Sequence, residues 1–139
     1  MAHIDPNLAP DGPVVSRLQR AFPELLAIYA FGSRAQGTSR PDSDVDLAIL
    51  VAAYADPLLL WDEAGALSDQ LGQPVDLLDL RAASTVMQHQ VLTGGRQLWA
   101  RQPAAGLFEC FVMSEKNALD VARQALLTDI GQRGSVYGR

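Results

Sequence analysis

The 139-residue chain has the size of one ordinary globular domain, and its composition, 48% hydrophobic and 19% charged, excludes an intrinsically disordered protein. Eleven basic residues against sixteen acidic ones give a net charge of −5. This charge argues against direct nucleic-acid binding, which normally uses a basic surface to neutralise phosphates. No apolar run approaches the roughly 20 residues that cross a bilayer, and the N-terminus lacks a signal-peptide pattern, so we expect a cytoplasmic protein with no membrane segment.

Hydrophobic periodicity predicts helices that alternate with short strands through one domain over residues 13–131. Residues 1–12 have the composition of a flexible leader, and residues 132–139 that of a flexible tail. The predicted elements, in chain order, are a helix over 13–22, strands over 25–31 and 45–51, a helix over 57–71, a strand over 75–80, a helix over 83–92, an edge strand over 97–100 and a long or broken helix over 103–130. This order predicts an α+β (α/β) domain with a small mixed β-sheet and flanking helices. Cys110, the only cysteine, lies in an apolar run that predicts a buried thiol.

Two aspartates open the second predicted strand. Asp44 and Asp46 are two residues apart, so their side chains point to the same face of an extended strand, about 7 Å apart at the backbone. Five apolar residues follow Asp46, and burying its charge beside a second carboxylate is costly. A bound divalent cation relieves both costs, and Mg²⁺ typically takes one or two carboxylates together with substrate phosphates.

A third carboxylate is expected from the next strand. If the second and third predicted strands are adjacent, Asp76 can reach the same face as the Asp44–Asp46 pair. Asp79 is the alternative, but it faces the opposite side of the strand, and we favour Asp76 because it lies nearer the strand interior. Three carboxylates near a phosphate-binding turn outline a two-metal phosphoryl-transfer site.

A candidate phosphate-binding turn follows the first predicted strand. Gly32 lets a phosphate approach the backbone, and Ser33 adds a hydroxyl and an N–H group. Arg34 and Arg40 are either phosphate contacts or solvated loop charges, and both interpretations stay open at this point.

These residues together resemble the nucleotidyltransferase superfamily that is related to DNA polymerase beta. Its signature is Gly-Ser, about ten residues, Asp-x-Asp and then an acidic residue on a later strand. The signature stands here as Gly32-Ser33, Asp44-Val45-Asp46 and Asp76, extended by Gly37, Ser43 and Leu47. The resemblance covers residue 14 to about residue 100 and implies the nucleotidyltransferase fold, with a helical segment following it.

The resemblance also implies roles for these positions. Nucleotide binding falls to Gly32, Ser33, Arg34 and Ser43. The catalytic metal ligands are Asp44, Asp46 and Asp76, which together would hold two Mg²⁺ ions. The implied reaction is attack on the α-phosphorus of ATP with release of pyrophosphate, and Asp76 would help to deprotonate the attacking hydroxyl.

The short chain resembles the minimal nucleotidyltransferase (MNT) antitoxins of type VII HEPN/MNT toxin–antitoxin pairs in particular. This resemblance implies a protein adenylyltransferase that transfers AMP to a tyrosine of a HEPN ribonuclease toxin and forms an oligomer with it. Residues 103–131 are one candidate for the interface. Two alternatives remain open: an antitoxin that only masks its toxin, and a small-molecule nucleotidyltransferase of the aminoglycoside-modifying kind.

Overall fold

The computed structural model describes residues 6–32 and 44–133. Its helices and strands, in chain order, are α1 (Pro13–Ala21), β1 (Leu25–Phe31), β2 (Val45–Val51), α2 (Pro57–Leu71), β3 (Val75–Asp79), α3 (Thr85–Gly94), β4 (Arg96–Ala100) and α4 (Ala104–Arg133). Short 3-10 helices cover Pro6–Leu8 and Leu80–Ala82. The predicted α+β class, with a small sheet and flanking helices, is confirmed.

The four strands form one mixed sheet in the order β3-β2-β1-β4. Strand β1 is antiparallel to both β2 and β4, whereas β2 and β3 run parallel and are joined by the crossover helix α2. The carboxyl end of β1 therefore lies at the same edge of the sheet as the amino ends of β2 and β3. Gly32, Asp44, Asp46 and Asp76, the described residues of the sequence motif, lie at this edge.

Both faces of the sheet are covered, because alternate strand residues point to opposite sides. One face packs on α1 and α2 through a cluster of buried side chains that includes Leu18, Ile28, Leu47, Ile49 and Leu67. The other face packs on α3 and α4 through a second cluster that includes Tyr29, Ala48, Leu50, Val91 and Phe108. The central strands β1 and β2 are consequently apolar on both sides, as their sequences predict.

Local signals in the sequence fix where α2 and α3 begin and end. Asp56 caps α2 by accepting a hydrogen bond from the Leu58 N–H at 2.9 Å, and Gly72 ends the helix in the left-handed conformation (φ 67°). Ser84 caps α3 by accepting from the Met87 N–H at 3.1 Å. This cap starts α3 at Thr85, two residues after the predicted start.

Three other expectations need correction. Leu8, in the predicted flexible leader, is only 1% exposed and packs in the core beside α1. Helix α4 is continuous and extends to Arg133, two residues into the predicted tail. Cys110 is exposed, because it lies on the side of α4 opposite the buried Phe108 and Val112.

Only the first part of α4 packs on the domain. Val112 is fully buried, but four large apolar side chains beyond it are more than half exposed: Leu119, Val121, Leu126 and Leu127. Leu119 and Leu126 follow Val112 at intervals of seven residues, so they continue the helix face that is buried in the first part. Among the described residues, no helix is both long enough and apolar enough to span a membrane.

Candidate active site

Asp46 and Asp76 are directly opposite each other on neighbouring parallel strands. Val45 pairs with Val75 and Asp46 with Asp76 in the β2–β3 register, and the Val45 N–H donates to the Pro74 carbonyl at 2.9 Å. Adjacent strands are about 4.8 Å apart, and residues in register point to the same face. Asp46 also pairs with Phe31 of β1. The side chains of Phe31, Asp46 and Asp76 therefore lie in a row on the face of the sheet that packs on α3 and α4.

Gly32 is the residue after β1, and both its backbone conformation and its close contact with Asp46 require that it has no side chain. Its φ angle is +70°, in the left-handed region, and a Cβ placed on it would lie 2.5 Å from the Asp46 Oδ2 atom. The Asp46 carboxylate therefore lies against the Gly32 backbone. This contact brings Gly32, the first residue of the predicted phosphate-binding turn, next to Asp46 of the Asp-x-Asp pair.

The carboxylates create an excess of negative charge at this edge. Asp46 is half-buried, whereas Asp44 and Asp76 are exposed. The pKa of Asp46 is raised above its usual range, chiefly by burial, then by repulsion from Asp76 and Asp44 and by a hydrogen bond with Asp76 that favours the protonated form. The surroundings of Asp46 therefore disfavour the charged form of its carboxyl group.

Asp79 has a structural role that separates it from Asp76. It is 8% exposed and pairs with Ile49, so it lies three residues further along β3 and on the opposite face. Its carboxylate accepts from the Ala55 N–H at 2.9 Å and from the Arg81 N–H at 3.1 Å. These bonds fix the loop after β2 and cap the turn after β3, which leaves Asp76 as the β3 carboxylate beside Asp46.

The donor set fits a hard divalent cation that is shared with an anionic substrate. Within residues 6–32 and 44–133, no three His, Cys, Asp or Glu side chains are grouped closely enough to hold a metal by themselves. The Asp46–Asp76 pair nevertheless supplies two carboxylates, and Mg²⁺ at nucleotide sites commonly takes one or two of these and completes its shell with phosphates. A cation would also offset both the burial of the Asp46 charge and the repulsion from Asp76 and Asp44, which together raise the pKa of Asp46.

A cavity of about 380 Å³ opens beside Gly32. It is lined by Phe31, Gly32, Met87, Gln90, Thr93 and Gly94. Sequence analysis did not select the α3 residues of this group, because no motif marks them and only tertiary packing brings α3 to the end of β1. Gly95 allows that approach, since a Cβ on it would lie 2.8 Å from the Ala30 carbonyl oxygen.

The remaining predicted site residues, Ser33, Arg34 and Ser43, lie outside the described residues, as do Gly37 and Arg40. The structure thus brings together Gly32, Asp46 and Asp76, with Asp44 next to them at the start of β2.

The polymerase beta nucleotidyltransferase family model matches residues 15–104. The chain belongs to this family. The predicted resemblance is confirmed, and the matched segment runs from α1 to the start of α4, so it includes every element that contributes to the carboxylate edge.

Individual relatives narrow the comparison. The protein adenylyltransferase MntA of Shewanella oneidensis is 40% identical over 120 residues, which are 86% of each chain. A crystal structure of a toxin–antitoxin with AMP-PNP contains a chain that is 42% identical, with a TM-score of 0.73 over 84% of this chain and 95% of that one. A structure of the tri-AMPylated Shewanella oneidensis HEPN toxin in complex with MNT antitoxin has a chain that is 38% identical, with a TM-score of 0.68 over 84% and 92%. The similarity to MNT antitoxins that the sequence indicates is confirmed.

We predict opposite effects on stability from the two carboxylates of β3. Asp79→Ala should lower the free energy of unfolding by about 1–3 kcal/mol, because two backbone N–H groups lose their acceptor. Asp76→Ala should leave stability unchanged or raise it, because it removes a charge that repels Asp46. Urea denaturation measures both, with the exposed Asp69→Ala as a control. Equal destabilisation by the Asp76 and Asp79 variants would contradict the separation of roles.

Asp46→Asn should stabilise the metal-free protein at neutral pH. A raised pKa in the folded state means that folding favours the protonated carboxyl, so the stability from this group is present at low pH and is lost as pH rises. The amide carries no charge, so its advantage in Tm should be largest near pH 7 and disappear below about pH 4. Thermal unfolding in EDTA across this range tests the sign. A lower Tm for the variant at neutral pH would contradict this prediction, since it would show that other groups in the folded protein stabilise the charged Asp46 carboxylate.

Proposed function

We propose that this protein transfers AMP from ATP to a tyrosine of a cognate HEPN toxin and thereby neutralises it. The observation that carries the proposal is the pairing of Asp46 with Asp76, with Asp46 against Gly32, in a chain 40% identical to a protein adenylyltransferase. The AMP-PNP complex and the tri-AMPylated toxin complex of similar chains support both halves of the reaction, the nucleotide and the acceptor.

The binding of ATP has to overcome the charge of the site. A triphosphate that approaches Gly32 meets the carboxylates of Asp44, Asp46 and Asp76, and like charges at this distance repel. We propose that these three aspartates hold Mg²⁺, which when bound neutralises phosphate charge and polarises the α-phosphoryl group. Gly32 would bring its backbone close to the phosphates, and Ser33, Arg34 and Ser43 are assigned to the same task by the family pattern.

The chain's own residues can then promote an in-line displacement. The tyrosine oxygen forms a bond to the α-phosphorus while the bond to the bridging oxygen breaks, and pyrophosphate leaves with that electron pair. Asp76 is the better acceptor for the tyrosine proton, because it is exposed at the end of the row whereas Asp46 is half-buried against Gly32. Asp44 and Asp46 would mainly position the nucleotide.

The exposed part of α4 is our candidate for the surface that contacts the toxin. Leu119 and Leu126 are 51% and 58% exposed and continue the buried face of the helix beyond the domain. Burying a leucine of this kind is worth about 1.5–3 kcal/mol, so its exposure is costly unless a partner covers it. The partner that we propose is a HEPN toxin, because a similar chain, aligned over 84% of this one, comes from a complex of an MNT antitoxin with a HEPN toxin.

A binding-only antitoxin is the second candidate, and this exposed part of α4 is the observation that favours it. Such a protein would neutralise the toxin by contact alone. The carboxylates of Asp44, Asp46 and Asp76 argue against a binding-only role, because a protein that acts by contact alone gains nothing from side chains that repel one another beside Gly32.

We predict that Asp46→Asn and Asp76→Asn each reduce AMP transfer to the toxin by about 100-fold or more, since each removes a charge from the centre of the reaction. Asp44→Asn should reduce transfer as well. The measurement is incorporation of label from α-labelled ATP into purified HEPN toxin with Mg²⁺, and the exposed Asp69→Asn is the control.

Two further measurements would select the alternatives. An Asp44→Asn/Asp46→Asn double variant that still protects toxin-expressing cells would support masking by contact. Label appearing on an aminoglycoside but never on the toxin would support a small-molecule transferase.

We predict that Leu119→Ser/Leu126→Ser weakens the complex with the toxin by about tenfold or more, because two apolar contacts are lost. Val121→Ser is the control, since Val121 is 60% exposed but lies on the opposite side of α4 from Leu119. Size-exclusion chromatography and titration calorimetry measure the effect. Unchanged affinity in the double variant would remove this face of α4 from the interface.

A further inference from the structure

The cavity beside Gly32 adjoins the position proposed above for the phosphates of ATP. Phe31 forms one wall of the cavity and pairs with Asp46 on the neighbouring strand, so the two side chains lie next to each other on the same face of the sheet. Gly32 belongs both to the cavity wall and to the contact with Asp46. A nucleotide whose phosphates lie at Gly32 therefore has this cavity immediately to one side, toward α3.

The lining has the chemistry of a site for an aromatic base. Phe31 and Met87 are half-buried and supply an aromatic ring and a polarizable thioether, both of which pack well on flat π-systems. The volume of about 380 Å³ falls within the range of pockets for small ligands. Phe31 and Met87 thus form an apolar floor of the cavity, and selectivity between bases must come from polar groups at its rim.

Gln90 is the polar group on that rim. Its side chain is exposed and makes no hydrogen bond to any part of the chain that the structure describes, whereas the nearby Thr93 hydroxyl already donates to the His89 carbonyl at 2.7 Å. A carboxamide presents a donor and an acceptor together, the pair that matches the N6 and N7 edge of adenine. Guanine carries an acceptor at the position of the adenine amino group, so the match is lost.

We propose that this cavity binds the nucleoside of the triphosphate, with the base between Phe31 and Met87 and its edge contacted by Gln90. The proposal rests on the proposed function and adds the origin of base selectivity to it. The site would favour adenine over guanine through Gln90 and would hold the base by its apolar floor whichever purine enters.

Gly94 provides a test that changes the cavity without disturbing the fold. It lines the cavity, and a Cβ placed on it would meet no atom within 4 Å, so a larger side chain can extend into the space. Gly65 is a matched control, because it is also helical and open but lies on α2, on the other side of the sheet. The same substitution, Gly94→Leu and Gly65→Leu, can therefore be compared directly.

The experiment measures binding of Mg²⁺–AMP-PNP and of Mg²⁺–tripolyphosphate by calorimetry, and the ratio of kcat/KM for ATP over GTP with the toxin as acceptor. Gly94→Leu should weaken AMP-PNP binding by about tenfold or more and leave tripolyphosphate binding unchanged, whereas Gly65→Leu should alter neither. Gln90→Ala should reduce the preference for ATP over GTP by about three- to tenfold, the value of one or two hydrogen bonds.

The outcomes separate this inference from the function on which it rests. Normal AMP-PNP affinity in Gly94→Leu together with a raised KM for the toxin would assign the cavity to the acceptor segment and overturn the proposal. An unchanged nucleotide preference in Gln90→Ala would overturn the role of Gln90. A wild-type protein that binds AMP-PNP but never labels the toxin would refute AMP transfer while leaving the nucleoside site in place.

Discussion

Repulsion between Asp46 and Asp76 is opposed by the backbone pairing of β2 with β3, and the site depends on this opposition. The parallel register places the two carboxylates in line, and the absence of a side chain on Gly32 lets Asp46 lie against the backbone. The pKa of Asp46 is raised, chiefly by burial and then by repulsion from Asp76 and Asp44. An arrangement of this kind is useful when a cation and an anionic substrate enter together, because both then meet a site that already has the required geometry.

The apolar sheet supplies the stability that offsets this local cost. Strands β1 and β2 are buried on both faces, and α1 and α2 on one side and α3 and α4 on the other hold them in place. Asp79 shows how the same residue type can serve the scaffold, since it satisfies two backbone N–H groups three residues after Asp76. A carboxylate that accepts hydrogen bonds from the backbone stabilises the fold, whereas one that faces another carboxylate lowers its stability.

The two helices on the carboxylate face of the sheet have different tasks. Helix α3 ends close to β1, where Gly95 lets the chain pass the Ala30 carbonyl, and it forms a wall of the cavity beside Gly32. Helix α4 is anchored by Ala105, Phe108 and Val112 and then extends beyond the sheet with its apolar side chains exposed. The proposed nucleotide site and the proposed partner surface thus share one face of the domain, as a protein-modifying enzyme requires.

The sequence alone, through signals between residues close together in the chain, indicated most of the secondary structure and the family of this protein. Continuous apolar runs indicated the strands, and the Gly-Ser and Asp-x-Asp spacing indicated the family, because each signal depends on residues close together in the chain. Strand pairing, by contrast, was decided only in three dimensions. The sequence offered Asp76 and Asp79 as alternatives, and the β2–β3 register placed one beside Asp46 and gave the other to the backbone. The cavity wall on α3 and the exposure of Cys110 and distal α4 were likewise decided by the tertiary structure, since periodicity reveals which helix face is apolar but not how far the neighbouring layer extends to cover it.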